Sequence, residues 1–102
     1  MYKFTQAEFD NVVQTAFLSV NPPILKRFPG KEKRKFMTLF LIIRQFSQAR
    51  TYSEAEVNHI LKPIHDDYVT LRRYLCDYGF LDRRQDGSAY WVVADDFPEC
   101  HL

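Results

Sequence analysis

YSEAEVNHILKPIHDDYVTLRRYLCDYGFLDRRQDGSAYWVV, residues 52–93, decides the fold, because it reads as two capped helices followed by a two-strand hairpin. Ser53 with Glu56 three residues on is a capping box: each side chain satisfies a backbone donor that the first turn leaves free, and Tyr52 and Val57 flank it as a hydrophobic staple. A helix is expected from Ser53. Its apolar stripe, Val57, Ile60 and Leu61, meets Pro63, which has no N–H to donate into a continuing helix, so the element should end at Leu61 or Lys62. Asp66 and Asp67 are N-cap candidates for the next helix, which carries Tyr68, Leu71, Leu75 and Tyr78 on one face and meets Gly79 at its C′ position. Asp86-Gly87 suits the positive φ angles of a type I′ turn, which would close a two-residue hairpin between strands at 80–85 and 88–93. Helix, helix, hairpin is the layout of a winged helix-turn-helix, with the second helix as the reading helix and the hairpin as the wing.

Working outward, a second capping box, Thr5 with Glu8, and a second staple, Phe4 with Phe9, start a helix whose stripe is Phe9, Val12, Val13, Ala16, Phe17 and Val20, up to the break at Asn21-Pro22-Pro23. A central helix over 31–47 carries Phe36, Leu39, Phe40, Ile43 and Phe46 on one face and Met37 and Leu41 towards the other. A helix apolar on both sides must be covered on both sides. The N-terminal helix is the candidate cover, either from the same chain or from a second copy in a homodimer. The expected fold class is therefore α+β, mainly helical: a winged helix-turn-helix with an extra N-terminal amphipathic helix. Its divisions are 1–24, N-terminal helix and linker; 25–94, winged-helix domain; and 95–102, an acidic tail with Asp95, Asp96 and Glu99.

Composition sets bounds. A chain of 102 residues buries roughly 65% of the surface its unfolded form exposes, enough for a core without metal or disulfide staples. Cys76 and Cys100 are too few and too unpatterned for a disulfide framework, and no signal peptide is legible, so a cytoplasmic protein is expected. No apolar run approaches the ~20 residues of a membrane span. His59, His65, His101 and the two cysteines show no metal-ligand spacing, so no metal is expected. No nucleophile elbow or glycine-rich phosphate loop is present, so no cofactor and no catalysis are expected either.

The strings Leu25-Lys-Arg-Phe-Pro-Gly-Lys-Glu-Lys-Arg-Lys35, Tyr52-Ser-Glu-Ala-Glu-Val-Asn58, His65-Asp-Asp-Tyr-Val-Thr-Leu-Arg-Arg-Tyr-Leu75, Asp77-Tyr-Gly-Phe-Leu-Asp-Arg83 and Gly87-Ser-Ala-Tyr-Trp91 resemble the bacterial domain-of-unknown-function family 2087 over about Leu25 to Val93. The resemblance implies a winged-helix-like fold of the kind often attached to bacterial transcription regulators. It carries no biochemical activity with it, and residues 1–21 match none of its strings.

Net charge is only +1, but six cations, Lys26, Arg27, Lys31, Lys33, Arg34 and Lys35, crowd into ten residues with Glu32 alone opposing them. If the reading helix enters a major groove, Thr70, Arg72 and Arg73 lie on its far side from Leu71 and Leu75, and an arginine there can donate to both acceptors of a guanine edge. Arg83 and Arg84 on the wing, and Lys31, Lys33 and Lys35 at the central helix start, are the candidate phosphate contacts. Against duplex DNA stand Asp66, Asp67, Asp77 and Asp82, which can pair with Arg72 and Arg73 as ordinary surface ion pairs worth ~0–1 kcal/mol. The leading expectation is a non-catalytic DNA-binding transcriptional regulator or accessory winged-helix domain. The alternative is a protein-interaction module that uses its N-terminal helical face or the aromatic set Tyr68, Tyr74, Tyr78, Phe80, Tyr90 and Trp91.

Overall fold

The computed structural model describes residues 2–93, so the expected acidic tail, Cys100 and His101 lie outside the described residues. The chain runs through α1 (Gln6–Ala16), β1 (Phe17–Val20), β2 (Pro23–Leu25), α2 (Glu32–Ile42), a 3-10 turn (Ile43–Gln45), β3 (Thr51–Tyr52), α3 (Glu54–Leu61), α4 (Tyr68–Asp77), β4 (Leu81–Arg83) and β5 (Tyr90–Val92). This is a small α+β architecture with two antiparallel sheets, a hairpin β1-β2 and a three-stranded sheet in the order β3-β5-β4.

Both capping boxes form. The Thr5 hydroxyl accepts from the Glu8 amide at 3.1 Å while the Thr5 amide donates to the Glu8 carboxylate at 2.9 Å; Ser53 and Glu56 repeat this at 3.1 and 2.8 Å. The Glu56 pKa is lowered first by the Ser53 amide, and the Glu8 pKa first by Lys33 and then by the Thr5 amide. Asp67 caps α4 through the Thr70 amide. At the other end of α4, Gly79 takes a φ of +82°, the Phe80 amide returns to Leu75 and the Gly79 amide to Cys76. That pair of bonds is a Schellman motif, and it turns the chain directly into β4.

The N-terminal helix is shorter than its apolar stripe. The Phe17 amide still donates to Val13, but its φ of −111° and ψ of 141° are extended, and from there burial alternates: Phe17 buried, Leu18 exposed. Residues 17–20, expected to continue the helix, pair instead with β2 across a reversal at Asn21-Pro22, whose peptide bond is cis. The stretch expected to be a linker is therefore a hairpin, tied down by the Leu25 amide on Ile64 at 2.8 Å and the Lys26 amide on Ala16 at 2.6 Å.

The second hairpin departs from expectation in its loop but not in its register. Arg83 lies opposite Tyr90 and the Arg84 amide donates to Ala89, the alignment that a turn at Asp86-Gly87 implies. The ladder stops there. A loop over Gln85–Ser88 replaces the two-residue type I′ turn: the Gly87 amide closes it on Arg84 at 2.9 Å, Gly87 sits at φ +74°, and the Ser88 amide donates to Asp86.

One core joins all of this. Every residue of α2 from Phe36 to Ile42 is buried, Thr38 included, whose hydroxyl donates to the Arg34 carbonyl. The two-sided burial expected of the central helix holds, although the α-helix ends at Ile42 and passes into the 3-10 turn. Val12 and Ala16 of α1 enter the same core, as do Phe4, Phe17 and Leu25, with Phe9 and Val13 partly buried against it, whereas Val20 stays exposed. Leu71 and Leu75 of α4 pack inward with Phe80, Leu81, Tyr90 and Val92 of the strand region.

Candidate functional site

With Leu71 and Leu75 turned inward, the outer face of α4 carries Val69, Arg73 and Asp77, all exposed. Val69 keeps 48% of its surface exposed. Thr70 is half-buried at the edge of this face, its hydroxyl donating to the Asp67 cap at 2.8 Å. Arg73 projects outward, with no ion pair among the described residues.

Arg72 does not join it. Successive residues on a helix point about 100° apart, and Arg72 falls on the flank that faces α3. Its side chain is only 17% exposed; its guanidinium donates to Asn58 Oδ1 and lies 3.8 Å from Glu54 Oε1. The Tyr90 hydroxyl donates to the same carboxylate at 3.1 Å, and burial, then that bond, pushes the Tyr90 pKa up. Arg72 therefore clasps α3, α4 and β5 together. Of the residues expected on the reading face, Arg72 is thus the one placed on the α3 flank, with guanidinium contacts to Asn58 and Glu54.

Between α4 and β4 lies an open cleft of about 440 Å³, with Arg73, Arg83, Asp77 and Glu54 on its walls and Arg72, Cys76 and Tyr90 deeper in. Arg83 reaches it because the ladder sets Arg83 opposite Tyr90, on the sheet face turned towards the helices. Arg84, next along, is exposed at the start of the hairpin loop. Burial pushes the Cys76 thiol up, so it is a poor nucleophile at neutral pH. The aromatic set is divided: Phe80 and Tyr90 are core, Tyr74 stacks on Phe28 at 5.0 Å, and Tyr78 donates to Glu32 with its own pKa raised by burial and by that carboxylate.

The three lysines expected to act together diverge. Lys33 pairs with Glu8 at 2.7 Å, Lys35 lies 5.0 Å over the Tyr74 ring, and Lys31 is the exposed N-cap of α2, making no side-chain cap bond. Lys35 shares with Tyr74 and Asp77 a second cleft of about 470 Å³. The outer face of α4 is thus bordered by Lys35 on one side and Arg83 on the other, with Asp77 lining both clefts. A third cleft, of about 630 Å³, opens where the end of α1 meets the start of α2, and Arg27, Lys31 and Arg34 line it. In the sequence Arg27 and Arg34 stand out only as members of a basic run. Thr15, which holds Arg34 there at 2.6 Å, gives no sequence signal.

Among the described residues no group of three or more histidines, cysteines or carboxylates is placed to hold a metal ion, and no helix is long and apolar enough to cross a membrane. Fold and clefts together define a small α+β domain whose last helix and hairpin present mixed basic and acidic side chains. The chain belongs to DUF2087, a family described as uncharacterized protein conserved in bacteria, whose model matches residues 24–92, from β2 through β5. No curated protein and no solved structure matches the chain.

Proposed function

We propose that residues 25–93 form a winged helix-turn-helix that binds duplex DNA in a bacterial cytoplasm, without catalysis, as a transcriptional regulator or an accessory domain of one. In this reading α3 and α4 are the helix-turn-helix, α4 lies in the major groove and the β4-β5 hairpin is the wing. The observation that carries it is the exposure of Arg73 on the outer face of α4, with Arg83 and Arg84 on the hairpin that follows and none of the three in an ion pair among the described residues. Supporting it is the strand order β3-β5-β4, in which β3, lying between α2 and α3, pairs with the last strand of the hairpin that follows α4. Arg73 has the reach to donate twice to a guanine edge, and exposed Val69 offers an apolar contact of the kind that suits a thymine methyl. Arg83, Arg84 and Lys35 would meet phosphates on either flank. Asp77 opposes this charge, so Arg73 and Arg83 must screen it for the duplex to approach.

The test is fluorescence anisotropy of a labelled mixed-sequence duplex titrated with the protein over a series of salt concentrations. The reading expects binding at low salt whose logarithm falls linearly with the logarithm of salt concentration. Absence of binding at low salt removes it. One observation favours the protein-interaction alternative: the β1-β2 hairpin exposes three large hydrophobic residues, Leu18, Val20 and Ile24, Leu18 at 70%. A duplex-silent protein that self-associates, and loses that association on Leu18→Ser, would point there.

A further inference from the structure

We propose that the cleft between the end of α1 and the start of α2 is an anion site that takes phosphate groups. Three cationic side chains from separate positions converge on it: Arg27 from the loop after β2, Lys31 from the N-cap of α2 and Arg34 from its first turn. The remaining walls, Thr15, Ala16, Phe28, Pro29 and Gly30, contribute no carboxylate.

What distinguishes this basic cluster from a solvated face is the state of its charges. Arg34 is fixed in place, yet only by neutral acceptors: its guanidinium donates to Asn11 Oδ1 at 2.9 Å and to Thr15 Oγ1 at 2.6 Å. Those bonds orient the cation without cancelling it. Arg27 and Lys31 are exposed and have no ion pair among the described residues. Glu8 and Glu32, on the two helices that flank the cleft, are engaged elsewhere. Glu8 accepts from Lys33 at 2.7 Å, and Glu32 accepts from the Tyr78 and Tyr2 hydroxyls, the Tyr78 bond first among the causes that hold its pKa low. Like charges sharing one cleft repel, and an anion bridging them relieves that repulsion while gaining charge-assisted hydrogen bonds. A volume of about 630 Å³ suits a small molecule bearing one or two phosphates, with room for an apolar body against Phe28 and Pro29. Phe28 in turn stacks on Tyr74 of α4, so an occupant would touch a residue packed on the outer helix.

A phosphate can arrive free or as part of a nucleic-acid backbone, and the experiment separates the two. Isothermal titration calorimetry with inorganic pyrophosphate is run on the wild type, on Arg27→Gln/Lys31→Gln, and on Lys3→Gln/Lys62→Gln, which removes the same charge from exposed positions outside the cleft. Labelled duplex is titrated into the same three proteins. Among the described residues Arg27 and Lys31 make no side-chain ion pair, and Lys31 makes no side-chain cap bond, so the double variant should melt with the wild type. Saturable pyrophosphate binding that weakens about tenfold in the cleft variant and not in the control establishes a site for free phosphate. Silence towards pyrophosphate, with duplex affinity falling about tenfold in the cleft variant alone, assigns the site to backbone phosphate. No difference between cleft variant and control in either titration overturns the proposal. Failure of the duplex reading leaves the pyrophosphate arm intact, so the two can fall separately.

Discussion

The cleft between α4 and β4 and the cleft at the start of α2 each gather three cationic side chains, and they differ in what accompanies the charge. In the first, Arg72, Arg73 and Arg83 share the walls with Glu54 and Asp77, and Arg72 is committed to Asn58 and to Glu54. In the second, Arg27, Lys31 and Arg34 share the walls with no carboxylate among the described residues, and the Arg34 guanidinium is held by an amide and a hydroxyl. Counting the basic residues that line each cleft would rank the two alike. What a bound anion experiences is the charge left over after neighbours are satisfied, and by that measure Arg72 belongs to the fold, Arg73 and Arg83 to a mixed surface, and the α2 cleft to an uncompensated one.

The largest expected effect sharpens that ranking. Arg73→Ala with Arg83→Ala and Arg84→Ala should weaken duplex binding about 100-fold at low salt, ~2.7 kcal/mol, and flatten the salt dependence by close to 0.9 for each phosphate no longer neutralised, with the melting temperature unchanged. Anisotropy and a thermal melt on the same sample check it. Next comes Arg72→Ala, which should do the reverse. Leaving Asn58 and Glu54 without their half-buried donor should cost about 2 kcal/mol of stability by urea denaturation, while the variant, where folded, keeps the duplex affinity of the wild type. If instead Arg72→Ala leaves stability intact and abolishes binding, the division between structural and surface arginines is wrong. Gly87→Ala comes third. A side chain at φ +74° is strained, and the new Cβ would meet Glu54 Oε1 at 3.6 Å, ordinary van der Waals contact, so the loss should be about 1 kcal/mol and arise from the backbone alone. Gly87→Asn, which tolerates that region better, should recover part of it in the same denaturation series.

The smallest effect is one of pH. The Glu56 carboxylate in its capping box has a pKa below the ordinary glutamate value of 4.5. A folded-state pKa lower than the unfolded one stabilises the protein above the unfolded value, and the gain is lost as pH falls through the folded one. Melting temperature should therefore decline as pH drops below about 4.5, and Glu56→Gln, which keeps an acceptor for the Ser53 amide, should show a shallower decline. An identical slope in the two proteins would exclude the charge of Glu56 as a contributor.

What was legible in the sequence was mostly local. Both capping boxes, the Asp67 cap and the Gly79 stop act within a few residues along the chain, so the residue types at fixed offsets suffice to find them. The central helix could be read as covered on both sides because its apolar residues wind around it. Residues 17–20 could not, because Phe17 and Val20 satisfy a helical period and their alternating burial is visible only once β2 pairs with them. The register of the second hairpin was legible from Asp86-Gly87, whereas the length of its loop depends on where the ladder stops. The site is less readable still. Arg72 and Arg73 are chemically identical neighbours, and what separates their roles is partners on α3, Asn58 fourteen positions back and Glu54 beyond it. The α2 cleft needs Thr15 and Asn11 of another helix to orient Arg34, across nineteen and twenty-three residues of sequence.

The most direct test of the central claim, that the outer face of α4 and its hairpin meet DNA, is a map of backbone amide shifts in a 15N-labelled sample as duplex is added. The account predicts the largest shifts at Val69, Thr70 and Arg73 on α4 and over Arg84–Ser88 in the hairpin loop. Shifts confined to Leu18–Ile24 on the β1-β2 hairpin, or no shifts at low salt, would contradict it.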